Sequence, residues 1–137
     1  MTDDDASVLW EIFQDPLFLR FLSELAEVFK SPDSIRTFVE SFNIYQAEDT
    51  GFLFGVRLRY KLVGFIGIMD IPESATLFYA MHPDYRNMRI MSDAIDTVLS
   101  YWSLNFANIQ LHTEVYRENQ ASLNILQHYK NIKVILK

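Results

Sequence analysis

The chain has 137 residues, 50% of them hydrophobic and 15% aromatic, with no cysteine and a formal net charge of −6. That length and composition suit one domain with one packed core and exclude a disordered chain. The lack of cysteine excludes disulfides, thiolate metal sites and a cysteine nucleophile, and the acidic balance disfavours non-specific nucleic-acid binding.

Residues 2–5 read as a short acidic tail, expected to be mobile. From 7 to 30 the apolar positions Val8, Leu9, Ile12, Phe13, Leu17, Phe18, Phe21, Leu22, Leu25, Val28 and Phe29 recur at helical spacing. Asp15-Pro16 interrupts that run and fits a new helix start, Asp15 as N-cap and Pro16 at the first helical position. Ser31-Pro32-Asp33 repeats the device, and Ile35, Phe38, Val39 and Phe42 give the next helix its buried stripe. Thr50-Gly51 marks a turn. Strands are expected over 52–60 and 62–71, with Tyr60-Lys61 as their hairpin connection. Ile71-Pro72-Glu73-Ser74 turns the chain into a third strand over 75–82. A helix over 93–106 turns Ile95, Val98, Leu99 and Trp102 inward; a strand over 108–116, a helix over 119–129 and a last strand over 132–136 follow. Helices, an antiparallel meander, then alternating strands and helices is an α+β order with a mixed sheet. No apolar run approaches the ~18 residues of a membrane span, and the acidic N-terminus is unlike a signal peptide. A soluble cytoplasmic protein is therefore expected, without a membrane partner.

The most informative stretch runs from Met81 to Ser92, between the third strand and its helix. A strand feeding a tight turn that opens a helix aims free backbone N–H groups and the positive helix end at one spot, which suits a diphosphate. The wording resembles the acyl-coenzyme A loop of the GNAT acetyltransferases: an apolar residue, four spacers, then Gln/Arg-x-x-Gly-x-Gly/Ala. Met81 fills the apolar slot, Arg86 the Gln/Arg slot, and Arg89 the slot that is normally glycine. Asn87 and the Met91-Ser92 ending resemble the ribosomal-protein N-acetyltransferase branch. The resemblance implies that Met81, Arg86, Asn87, Met88, Arg89, Ile90, Met91 and Ser92 surround the pyrophosphate of acetyl-coenzyme A. If position 89 takes a positive φ, arginine is strained there by about 1 kcal/mol or somewhat more. A guanidinium can also bind phosphate bidentately. Taken without the resemblance, the segment also reads as a plain strand–turn–helix with two surface arginines.

Two further constellations follow. Asn119 with Ser122 looks like the family's Asn-x-x-Ser/Ala helix start, which implies that Asn119 contacts the pantetheine arm and Ser122 lies near the thiol. The tyrosine that the family often places seven residues past that asparagine is Leu126 here, so Ser122 or a water is left to protonate the leaving thiolate. Asn119 equally reads as an ordinary helix N-cap. The strand over 108–116 carries Gln110, His112, Glu114 and Tyr116 on one face. His112 and Glu114 either deprotonate an amine, directly or through water, or are structurally paired or solvent-facing. The glutamate that some relatives place in the preceding strand falls near Thr76 and is absent. His82 and His128 are weaker candidates, and three scattered histidines make no metal site.

The expectation is a single GNAT-like domain over 1–137, with a mixed central sheet and helices on both faces. The implied activity is direct acetyl transfer from acetyl-coenzyme A, without a metal, to an amine: a protein N-terminus, a lysine, a polyamine or a small metabolite. A backbone N–H near Met81 would stabilise the oxyanion. The aromatics of the first third are core residues, with any excess left for an acceptor cleft or a homodimer surface. The rival expectation is a catalytically degenerate GNAT-shaped binding module, favoured by Arg89, Leu126, Thr76 and the few residues after Tyr129.

Overall fold

The helical periodicity of the first third appears as α1 (Asp3–Gln14) and α2 (Pro32–Ala47) in the computed structural model, which describes residues 3–15, 31–86 and 89–137. Helix α1 includes the acidic residues expected as a mobile tail. Asp5 is buried and accepts hydrogen bonds from both Arg57 guanidinium nitrogens, at 3.0 and 2.8 Å. A bidentate pair and the positive end of the helix both favour a carboxylate in that first turn. The expected helix after Pro16, and with it the capping role of Asp15, lies outside the described residues. Helix α2 opens with Pro32 at its start and a reciprocal cap, in which Ser31 and Ser34 each bond the other's backbone N–H at 3.4 Å.

Five strands lie side by side in chain order: β1 (Phe52–Leu58), β2 (Lys61–Met69), β3 (Thr76–Met81), β4 (Leu111–Val115) and β5 (Ile132–Leu136). β1–β2 and β2–β3 are antiparallel; β3–β4 and β4–β5 are parallel. Parallel neighbours require crossovers, supplied by α3 (Ile90–Asn105) and α4 (Gln120–Leu126). The sheet is mixed, as the element order implied.

Several boundaries differ from expectation, each for a local reason. Leu58 pairs with Lys61, so the hairpin loop is Arg59-Tyr60, one residue earlier than expected. Both loop residues take positive φ, 50° and 74°, the backbone that a two-residue hairpin requires. β2 stops at Met69 because Asp70 is left-handed, with φ 59°. β4 starts at Leu111 rather than 108, since Ile109 is held in a turn: its N–H bonds the Phe106 carbonyl and its own carbonyl accepts from the Trp102 indole, both at 3.0 Å. α4 ends at Leu126, where the Tyr129 N–H bonds the Leu126 carbonyl at 3.0 Å and tightens the chain out of the helix.

Helices cover both faces of the sheet. Leu9, Ile12, Phe13 and Ile35 pack on Leu62 and Phe65 on one side. Ile95, Val98, Trp102 and Leu126 pack on Ile66, Ile68, Leu77 and Leu111 on the other. β2 is thus buried on both faces, which accounts for its unbroken apolar run. Gly67 is required there because a Cβ would stand 2.0 Å from the Phe78 ring, itself packed against Phe38, Phe42 and Phe65. Among the described residues no helix is long and apolar enough to cross a membrane.

Candidate active site

β3 and β4 are joined by a single register pair, Thr76 with His112. The His112 N–H bonds the Ala75 carbonyl and the Thr113 hydroxyl bonds the Leu77 carbonyl, both at 2.9 Å. Beyond Leu77 the strands part. On its other edge β3 pairs with β2, and the His82 N–H bonds the Val63 carbonyl at 2.8 Å. Backbone groups alternate sides along a strand, so the N–H groups of Tyr79 and Met81 are directed into the notch. The notch opens at the carboxyl ends of two parallel strands, the usual ligand position in sheets with such crossovers.

The loop that leaves β3 is anchored before it reaches α3. The His82 Nδ1 accepts from the Asp84 N–H at 3.2 Å and starts a short 3-10 turn over Pro83–Tyr85. That fixes the tautomer: Nε2–H is the donor, to the Glu11 carboxylate at 2.5 Å. The Arg86 guanidinium donates to the buried Asp15 carboxylate and to the Met81 carbonyl, the latter at 3.2 Å. Asn87 and Met88 lie outside the described residues. Arg89 then takes φ 60° and ψ 6°, the left-handed backbone, and caps α3 with no side-chain hydrogen bond. Asp93 is the first residue to bond back, to the Arg89 carbonyl at 3.0 Å, which leaves the N–H groups of Ile90, Met91 and Ser92 without an intrahelical acceptor. Met91 buries its side chain in the core. Among the described residues five non-glycine positions are left-handed, Asp49, Arg59, Tyr60, Asp70 and Arg89, and no glycine is.

Across the notch, the Asn119 Oδ1 accepts from the Ser122 N–H at 3.3 Å, so Asn119 caps α4. The Ser122 hydroxyl lies 2.5 Å from the hydroxyl of Tyr79 on β3. Tyr79 had no place among the sequence candidates, although alternation sets it between Leu77 and Met81 on the inward face of β3. Burial raises the Tyr79 phenol above its ordinary value, outweighing the opposing Ser122 hydroxyl. Leu126 is buried in the core and offers no hydroxyl to the notch. Tyr129, just past α4, is engaged elsewhere: its single hydroxyl proton is shared between the Ser92 carbonyl at 3.0 Å and the Asp96 carboxylate at 2.8 Å.

Residues 1–130 match the acetyltransferase (GNAT) domain. The chain belongs to the GNAT family. Its fold is similar to that of an acetyltransferase from Salmonella typhimurium that modifies the N-terminal serine of the 50S ribosomal subunit protein L7/L12, with TM-score 0.75, 13% identity, and 93% of this chain and 76% of that one covered. It is similar to Vibrio cholerae spermidine N-acetyltransferase, in complex with CoA and spermine, at TM-score 0.71 and 15% identity over 93% of this chain and 75% of that one. Mycobacterium smegmatis RimJ, in complex with CoA-disulfide, superposes at TM-score 0.69 with 17% identity over 93% of this chain and 66% of that one. Identities this low establish a shared fold. The sequence matches no curated protein.

Within the GNAT fold, the start of α3 suits a diphosphate. It combines three open N–H groups, the positive helix end and the exposed Arg89, whose guanidinium takes no part in the cap. The Arg86 side chain is engaged by the Asp15 carboxylate and the Met81 carbonyl. His112 and Glu114 share a face of β4 but take separate partners. The His112 Nδ1 stands 3.4 Å from the Ala75 carbonyl, which leaves the lone pair on Nε2. Glu114 is half-exposed and pairs with the Lys137 ammonium at 3.0 Å. The Thr76 hydroxyl donates to the Ser74 carbonyl at 2.7 Å.

Proposed function

We propose that this GNAT chain acts as a single domain that transfers an acetyl group from acetyl-coenzyme A to a primary amine, directly and within a ternary complex. The observation that supports this best is the parted β3–β4 pair, with the Tyr79 and Met81 N–H groups at one side of the notch and the open start of α3 beside it. Backbone N–H groups of Arg89, Ile90, Met91 and Ser92 would hold the pyrophosphate, joined by Asn87 and Met88 as the family resemblance implies, with the Arg89 guanidinium as an added phosphate ligand. Asn119 and Ser122 would flank the pantetheine arm and thiol. When bound, acetyl-coenzyme A supplies an activated acetyl thioester. The N–H of Tyr79 or Met81 stabilises the oxyanion, and the His112 Nε2 takes the acceptor's proton, with Glu114 assisting through water. Fixing both reactants in one notch supplies much of the acceleration.

A protein N-terminus and a polyamine lead the acceptor classes, because the similar structures include proteins that act on each. The second reading, a GNAT-shaped binding module, is favoured by one observation: an arginine held left-handed where the family's loop carries glycine. Release of free thiol from acetyl-coenzyme A over a panel of N-terminal peptides, lysine peptides and polyamines decides between them. The enzyme reading expects release that depends on at least one amine class. Ligand binding without amine-dependent release would support the module.

A further inference from the structure

The step that ends acetyl transfer leaves a thiolate needing a proton, and the described residues around the notch offer few donors. From β3 comes Tyr79; from α4 come Ser122 and Asn119, whose amide is no usable acid. The Tyr129 hydroxyl is bound to the Ser92 carbonyl and Asp96. A serine hydroxyl alone is too weak an acid for the task, whereas a phenol is within reach of a thiol in acidity. The 2.5 Å contact between Tyr79 and Ser122 spans the gap from the strand to the helix just where the β3–β4 ladder has ended.

We propose that the Tyr79 hydroxyl, held in place by Ser122, is the proton donor to the departing sulfur. This rests on the acetyltransferase reading and assigns it a catalytic residue, Tyr79, with Ser122 as its positioning residue. The acceptor nitrogen bonds to the thioester carbonyl carbon and the carbon–sulfur bond breaks, its electron pair going to sulfur. The phenolic proton moves from Tyr79 to that sulfur. The acceptor nitrogen loses one proton to its base, which releases it to solvent, and the Tyr79 phenolate recovers one from solvent, so the site returns to its starting state.

The test needs no acceptor. Coenzyme A bound to the protein is titrated with an aromatic disulfide across a range of pH, which reads the pKa of its thiol through the thiolate fraction. With the wild-type chain the bound thiol should titrate below free coenzyme A, since the donor that protonates the thiolate also stabilises it. Tyr79→Phe should raise that pKa by about one unit or more, the scale of a hydrogen bond to a charged group. Coenzyme A affinity should stay within about threefold, under 1 kcal/mol, because the ring packing is kept. Ser122→Ala should move the thiol in the same direction by less, and it carries the test if Tyr79→Phe does not fold. An unchanged thiol pKa in a variant that still binds coenzyme A would overturn the Tyr79 assignment alone. A wild-type chain that binds no coenzyme A would overturn the acetyltransferase reading and this assignment with it.

Discussion

Asp15, at the end of α1, holds the guanidinium of Arg86, 71 residues further along the chain. Four residues before each partner, Glu11 takes the Nε2–H of His82, so α1 is fastened at two points to the loop that leads into α3. Asp15 is the buried partner, with 8% of its side chain exposed against 30% for Arg86. Removing the cation should therefore be worse than breaking a surface pair, but less costly than stranding a fully buried charge. Arg86→Ala should lower stability by about 1–3 kcal/mol in denaturant titration, and a double-mutant cycle with Asp15→Ala should show coupling of about 1 kcal/mol or more. Additive effects would mean that the pair does not organise the loop.

Arg89→Gly separates an adapted loop from a damaged one. Relief of the left-handed strain, about 1–2 kcal/mol, is opposed by the extra chain entropy of glycine, about 0.5–1 kcal/mol. Stability should thus change by less than about 1 kcal/mol. Coenzyme A affinity should fall by ~1–3 kcal/mol if the guanidinium is a phosphate ligand, the scale of a charge-assisted hydrogen bond. Tighter binding by the glycine variant, measured by calorimetry, would identify Arg89 as a lesion.

Much of the fold could be read from the residues because local and global signals agree. The apolar run of β2 is what a strand buried on both faces requires, and Ser31-Pro32 announces α2 through capping chemistry. The left-handed start of α3 could be expected only through the family resemblance, since arginine carries no local signal for positive φ. The hairpin slipped by one residue for the same reason: Arg59 and Tyr60 lack the Asn-Gly chemistry that marks such turns. At the site, the pairing of Asp15 with Arg86, of Glu11 with His82 and of Tyr79 with Ser122 joins residues 71, 71 and 43 positions apart. No periodicity encodes such contacts. Asp15 illustrates the difficulty, because its position before a proline points to a cap and says nothing of Arg86.

Stability should fall above about pH 10. Tyr79 is raised chiefly by burial; Tyr129 is raised by burial and then by Asp96, so both are protonated in the fold above the ordinary tyrosine value of 10.0. Above that value the unfolded chain binds fewer protons than the native one, and stability declines as pH rises. Tyr129→Phe, followed by thermal unfolding, should flatten part of that decline. An identical alkaline slope in the variant would contradict the assignment.

His112→Ala should lower turnover about a hundredfold, the lower end of the scale for a general base, while coenzyme A affinity stays nearly unchanged. Glu114→Gln should have a smaller effect on turnover. Its half-exposed pair with Lys137 should contribute less than about 1 kcal/mol to stability. Steady-state kinetics with an identified acceptor, together with calorimetric affinities, check both. Normal turnover in His112→Ala would leave water as the acceptor's base.

Isothermal titration of the protein with coenzyme A asks directly whether the notch and the start of α3 form one ligand site. Binding should be saturable at one site per chain and tighter at low than at high ionic strength, as the pyrophosphate and Arg89 require. The thermal midpoint should rise with ligand concentration by mass action. The absence of both heat and midpoint shift at millimolar ligand would contradict it.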